Sequence, residues 1–171
     1  MLNRKSGFTV AAIVFALDQL SKWIIAGPLD LQTDRQIVLL PIYNLTWTDN
    51  NGISLGLFNA ETDIGRWILV TLKGAIAIAV AIWITREKQR GDQIALGMVL
   101  GGALGNILDR VRHGYVVDFA DLHFGDFRPF LVFNVGDAAI SIGVVILLLR
   151  AFLTRKEQRE GPGPEETIEH A

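Results

Sequence analysis

Four separate stretches of this chain are apolar for long enough to cross a lipid bilayer. A backbone in lipid satisfies its own N–H and C=O groups only as a helix or a closed barrel. The blocks cover roughly residues 7–27, 67–84, 94–108 and 135–153. A helical span takes about 20 residues, within a range of about 17–25. The third block falls short unless it continues through 109–112, and the expectation is that it does, with those polar groups turned into the protein. The chain therefore reads as an all-α membrane protein of four transmembrane helices with a small β-rich element on its outer surface.

The 171 residues fit one domain. Half of them are hydrophobic and a fifth are charged, and the apolar ones gather in the four blocks. The net charge of −2 and the lack of a basic stripe give no ground for nucleic-acid binding. Cysteine is absent, which removes disulfides, thiolate zinc ligands and thiol nucleophiles. There is no internal repeat. The membrane domain is expected over 1–156. The segment 157–171, with GPGPEE and no apolar period, reads as a disordered cytoplasmic tail.

Basic residues give the orientation. Arg4, Lys5, Arg86, Lys88, Arg90, Arg150, Arg155, Lys156 and Arg159 fall on one side of four spans. Arg35, Arg66, Arg110, Arg112 and Arg128 fall on the other, where the connecting segments are longer. Both termini are thus expected in the cytoplasm. The basic start of the first block also fits a cleaved signal peptide. Asp18 and Lys22 weigh against that, since a signal core is normally uncharged. Residues 37–40 and 43–47, in the first outer loop, are rich in strand formers and suggest a small sheet at the membrane surface.

Ionisable groups inside spans are costly and usually point inward. Asp18 and Lys22 are four apart and share a helix face. They read as an internal ion pair, as a substrate-binding pair, or both, and Lys22 lies near enough to the outer surface to reach a phospholipid or a substrate carbonyl. Lys73 reads as a lysine that snorkels to the surface. Asn106, Asp109 and Arg110 share another face and suggest a polar latch between helices. Gly101 and Gly105 have the spacing of close helix packing.

Asp118 follows the third block and Asp137 begins the fourth. In a four-span chain both come to the same outer level of the bilayer. Two neighbouring carboxylates cannot both ionise readily, so they share a proton, as an aspartic protease requires. Asn134, three residues before Asp137, is placed to orient a carboxylate or a scissile carbonyl. Spacing leaves Asp121 and Asp126 open as alternatives. It also leaves a plainer reading, in which Asp137 caps a helix and Asp118 is a loop residue. His113 and His123 flank the region, but their spacing matches no standard metal-ligand motif.

These residues fall in a familiar pattern. DQLSK at 18–22, NNGISLG at 50–56, GNILDR at 105–110, VVDF at 116–119 and FNVGDAAI at 133–140 occur in order within four spans. In this the chain resembles lipoprotein signal peptidase, also called signal peptidase II, the membrane aspartyl protease of bacteria. The similarity covers about residues 8–153. It implies that Asp118 and Asp137 are the catalytic pair. It also implies that Asp18, Lys22, Asn50, Gly52, Asn106, Arg110 and Asn134 line or support the site, and Asp109 of GNILDR is counted with them. The implied substrate is a prolipoprotein whose cysteine already carries diacylglycerol, cut on the amino side of that cysteine. No metal or organic cofactor is implied.

The expected setting is the bacterial inner membrane, with the active site at the periplasmic face. Membrane phospholipid is the expected neighbour and a monomer the expected working unit. Two positions depart from the pattern. Gly136 stands where Ala is usual, which loosens a helix start by up to roughly 1 kcal/mol, and Leu55 stands where Phe is common. The Gly- and Asn-containing loop near 50–60 is expected to close over substrate.

Two other classes compete with the peptidase reading. A proton-coupled transporter would spread its ionisable groups through the bilayer depth, whereas here they gather toward one face. A noncatalytic scaffold for lipoproteins would need a groove but no carboxylate pair.

Overall fold

The third apolar block does continue through its polar end. In the computed structural model, which describes residues 5–52 and 63–159, one unbroken helix runs over Arg90–His113. Chain order is α1 (Lys5–Ala26), α2 (Leu31–Asp34), β1 (Gln36–Leu40), β2 (Tyr43–Asn50), α3 (Asp63–Arg86), α4 (Arg90–His113), β3 (Val116–Leu122) and α5 (Val135–Arg159). Among the described residues, α1, α3, α4 and α5 are each long and apolar enough to cross a membrane. Of the tail expected at 157–171, residues 160–171 lie outside the described residues, and so does Leu55 with most of the 50–60 loop.

Helix α4 is the centre of the bundle, packed by α1, α3 and α5. Its glycines make this possible. A Cβ on Gly97, Gly101 or Gly105 would run into Gly7, Ala11 and Asp18 of α1, and one on Gly102 would run into the carbonyl of Gly136 in α5. Gly101 and Gly105 thus pack helices closely, as their spacing suggests, and Gly97 extends the same face by one turn. The helix stops at Gly114, whose φ of 89° is a left-handed cap conformation that favours glycine; its N–H donates to the Arg110 carbonyl at 3.2 Å.

The outer faces of α1, α3 and α5 carry exposed Ile13, Leu17, Trp23, Leu72, Ile78, Leu148 and Leu149. Water would penalise so much exposed apolar surface, and lipid does not. Leu69, Ala77 and Ile84 form the buried stripe of α3, with Val80 and Ala81 packed beside Ile84. Lys73 sits on that stripe, four residues from Leu69 and from Ala77, and is half-buried. This corrects the expected snorkelling: the lysine faces the bundle, and the face turned to lipid carries Leu72 and Ile76.

The three strands form one antiparallel sheet in the order β1-β2-β3. Beneath it, Leu45, Trp47, Val117, Phe119 and Ala120 pack with Ile25 of α1 and Leu31 of α2. At β1 the sheet leaves Val38, Leu39 and Leu40 exposed. The two strand-forming runs appear as β1 and β2. The third strand, β3, holds Asp118 opposite Thr48, so Asp118 is a strand residue and not a loop residue.

Candidate active site

The start of α5 is built around Asn134. Its Oδ1 accepts the Asp137 N–H at 2.8 Å, and its own N–H lies 3.4 Å from Asp137 Oδ2. This is a reciprocal capping box that satisfies helix-start donors. A third first-turn donor, the Gly136 N–H, goes to Asp18 Oδ1 of α1 at 2.8 Å. The simpler capping role therefore belongs to Asn134 and Asp18, with Asp137 as the partner that reaches back. Gly136 is closely surrounded: a Cβ there would stand 3.0 Å from the Gly102 carbonyl and 3.1 Å from both Asn134 Oδ1 and Asp18 Oδ1. The glycine expected to loosen this turn lets α5 approach α4.

From the same cap, Asn134 Nδ2 donates to Asp118 Oδ1 at 2.6 Å and to Asn106 Oδ1 at 3.1 Å. Asn106 Nδ2 in turn donates to Asp137 Oδ1 at 2.8 Å. The second oxygen of Asp118 accepts from Asn50 Nδ2 at 2.8 Å. Asn50 Oδ1 takes the Gly52 N–H at 3.0 Å, and Gly52 has a φ of 107°, which an L side chain would strain. Both carboxylates are thereby held by neutral amide donors, and among the described residues neither forms an ion pair.

Below them lies a charged layer. Lys22 Nζ has three N–H donors and three acceptors: Asp18 Oδ2 at 2.8 Å, Asp109 Oδ2 at 2.8 Å and Asn106 Oδ1 at 3.1 Å. Asp109 Oδ2 also receives the Val117 N–H of β3 at 3.2 Å. Gln19 ties Asp18 to Asp109, donating at 3.2 and 3.0 Å. The latch expected of Asp109 is present, and it joins α1, α4 and β3. Lys22 is buried with its donors engaged, which leaves none for a phospholipid or a substrate carbonyl. Arg110 is the converse: it is 2% exposed, and among the described residues its Nε and Nη1 have no hydrogen-bond partner. It lies within electrostatic reach of Asp118, Asp137 and Asp109.

Two aspartates on β3 show how surroundings set acidity. Burial pushes the Asp118 carboxyl up to about 6; the Asn50 hydrogen bond opposes this and the charge of Asp137 adds to it. At Asp121, burial works in the same direction, but the hydrogen bonds from Arg128 and Thr46 win and hold the carboxyl below its ordinary value. Asp121 is thus a satisfied structural partner of Arg128, at 3.0 Å. Asp126 is exposed on the loop beyond it. Of the four carboxylates in this stretch, Asp118 and Asp137 are the two that the asparagine network joins.

Asp137 is partly exposed, on a groove of about 370 Å³ lined by Phe130, Leu131, Phe133, Ala138, Ser141 and Ile142. An apolar channel therefore ends on a carboxylate. All ten residues that the resemblance assigns to the site fall in this one assembly. Gln19 was not singled out, and its place inside the DQLSK segment was the only available signal.

Residues 10–153 match the family model described as signal peptidase (SPase) II. The chain is 59% identical over 147 residues to a lipoprotein signal peptidase of Sphingopyxis alaskensis, covering 86% of this chain and 85% of that one. It is 55% identical over 155 residues to a lipoprotein signal peptidase of Rhizorhabdus wittichii, covering 91% and 90%. Its fold is similar to that of a bacterial membrane enzyme solved in meso at 2.3 Å resolution, with a TM-score of 0.77, 26% identity and coverage of 94% and 95%. A second such enzyme, solved at 1.9 Å, gives 0.73, 28%, and 86% and 92%.

Proposed function

The chain belongs to the signal peptidase II family of bacterial membrane peptidases, and on that premise we propose that Asp118 and Asp137 are the carboxylates with which it removes signal peptides from prolipoproteins. One observation carries this reading. Among the carboxylates of the outer face, these two are joined through Asn106 and Asn134, and Asp137 opens onto an apolar groove.

The chemistry follows from their unequal surroundings. Asp118, buried and harder to ionise, carries the shared proton at rest. Asp137, at the groove, takes a proton from water as the water oxygen attacks the scissile carbonyl carbon. Asp118 gives its proton to the carbonyl oxygen, so the tetrahedral intermediate is neutral. The carbon–nitrogen bond then breaks. Asp137 returns its proton to the leaving nitrogen, and Asp118 recovers one from the intermediate's hydroxyl. The unpartnered Nε and Nη1 donors of Arg110 supply hydrogen bonds to a substrate backbone carbonyl.

The groove lined by Phe130, Leu131 and Ile142 suits a substrate held in the outer leaflet, such as one whose cysteine carries diacylglycerol, cut on that cysteine's amino side. The distribution of Lys and Arg supports cytoplasmic termini and an outward-facing site. The exposed apolar faces of the spans take phospholipid as their solvent, and a single chain contains all the groups the reaction uses.

The test is cleavage of a purified diacylglyceryl-modified prolipoprotein in detergent, read by gel shift. The parent should cleave, and Asp118→Asn and Asp137→Asn should each lose at least about a thousandfold in rate while remaining folded. Full cleavage by either variant would remove that residue from the mechanism.

A further inference from the structure

One charged group near the site has no part in the chemistry above. Lys73 lies on α3, which packs principally on α4. Its neighbours one turn to either side, Leu69 and Ala77, are 6% and 4% exposed, while the adjoining Leu72 is 56% exposed. Helical geometry therefore turns Lys73 inward, on the same side as the carboxylates. A cation at this depth of a span needs compensating charge. Among the described residues, no ion pair includes it. The charged groups within its electrostatic reach are Arg110 of α4, Asp118 of β3 and Asp137 of α5. Lys22 also acts on Asp118, but its charge is already matched by Asp18 and Asp109.

We propose that Lys73 is a positioning residue for the charge of the Asp118–Asp137 pair: its ammonium, acting through space from α3, holds the pair in its singly ionised form down to lower pH than the two carboxylates would manage alone. This rests on the dyad reading given above. A positive charge stabilises each anionic state of the pair, so both proton losses move to lower pH. Removing the charge moves both limbs of the pH profile upward, and Arg110 alone does not replace it.

The experiment is the pH dependence of kcat/KM on a diacylglyceryl-modified prolipoprotein for the parent, Lys73→Met and Lys73→Arg, with folding followed by thermal unfolding in detergent. The expected result is that both limbs shift upward by about half to one pH unit in Lys73→Met, the order of one screened charge acting through space. Lys73→Arg should restore the parent profile. A purely structural lysine would change the rate or the unfolding temperature and leave the limbs in place, and that outcome overturns the proposal. If Lys73→Met does not fold, Lys73→Gln carries the same comparison. Asp118→Asn and Asp137→Asn run in parallel keep the two readings apart. If these remain active, the dyad reading fails. If they are dead and the Lys73→Met limbs coincide with the parent's, the inference about Lys73 alone fails.

Discussion

Asn134 and Asn106 share a hydrogen bond of 3.1 Å, and each also donates to a different aspartate: Asn134 to Asp118 at 2.6 Å, and Asn106 to Asp137 at 2.8 Å. The two carboxylates come from a strand and a helix that meet at this bridge. The bridge is neutral, so it fixes their positions without cancelling their charge.

Asn134→Ala should therefore lower kcat by about a hundredfold with little change in KM, because it releases Asp118 and unties the first turn that holds Asp137. It should also cost about 1–3 kcal/mol of stability through buried donors and acceptors left unpaired. Steady-state kinetics and thermal unfolding check both parts. An unchanged kcat would mean that the bridge is scaffolding only.

The acidity of Asp118 gives a pH prediction. Its carboxyl, raised to about 6 chiefly by burial, keeps its proton below that pH and loses it above. If Asp118 supplies the proton for the carbonyl oxygen, as proposed, kcat/KM should fall by about tenfold per pH unit as pH rises beyond that point. Substrate filling the groove removes water from the pair and extends the protonated range, so kcat should stay level to a higher pH than kcat/KM. A kcat/KM that is flat from pH 6 to pH 9 would exclude Asp118 as the acid.

Lys22 is expected to matter for folding more than for the reaction itself. Lys22→Met leaves Asp18 and Asp109 buried without the cation they share, and breaking a buried pair from one side costs about 3–5 kcal/mol. Thermal unfolding in a single detergent measures it. A loss below about 1 kcal/mol, the value of an exposed pair, would show that water reaches these groups.

Gly105→Ala and Gly74→Ala make a matched pair. The added methyl at Gly105 would overlap the Asp18 carboxylate, whereas nothing lies within 4 Å of one at Gly74. The first should cost about 1–3 kcal/mol through overpacking and lower activity with it. The second should be neutral or stabilise α3 by up to about 1 kcal/mol. Equal unfolding temperatures for the two variants would contradict the close approach of α1 to α4.

The four spans and the polar faces of α1 and α4 were legible because hydropathy and helical spacing act over long stretches. Strand β3 was not. All but the last of its residues are buried, so Val116–Leu122 lacks the alternation by which a half-buried strand is read. Its pairing with β2 also joins residues far apart in sequence. Lys73 was misread for a different reason. Snorkelling depends on which face a lysine occupies, and the inward stripe of α3 is made of small and aliphatic residues much like those facing lipid, so the sequence alone does not separate the two faces. The orphaned donors of Arg110 depend on what its neighbours do with their own hydrogen bonds, and no local pattern encodes that.

Asp18 accepts the Gly136 N–H across 118 positions of sequence, so a carboxylate from the first span finishes the start of the last. Membrane proteins enter the bilayer from the N-terminal end. A chain whose last span has not yet arrived has Asp18 and Lys22 in place but no Asn134, no Asp137 and nothing to bridge to Asp118. If Asp118 and Asp137 are the catalytic pair, as proposed, a chain still short of its last span has no complete site.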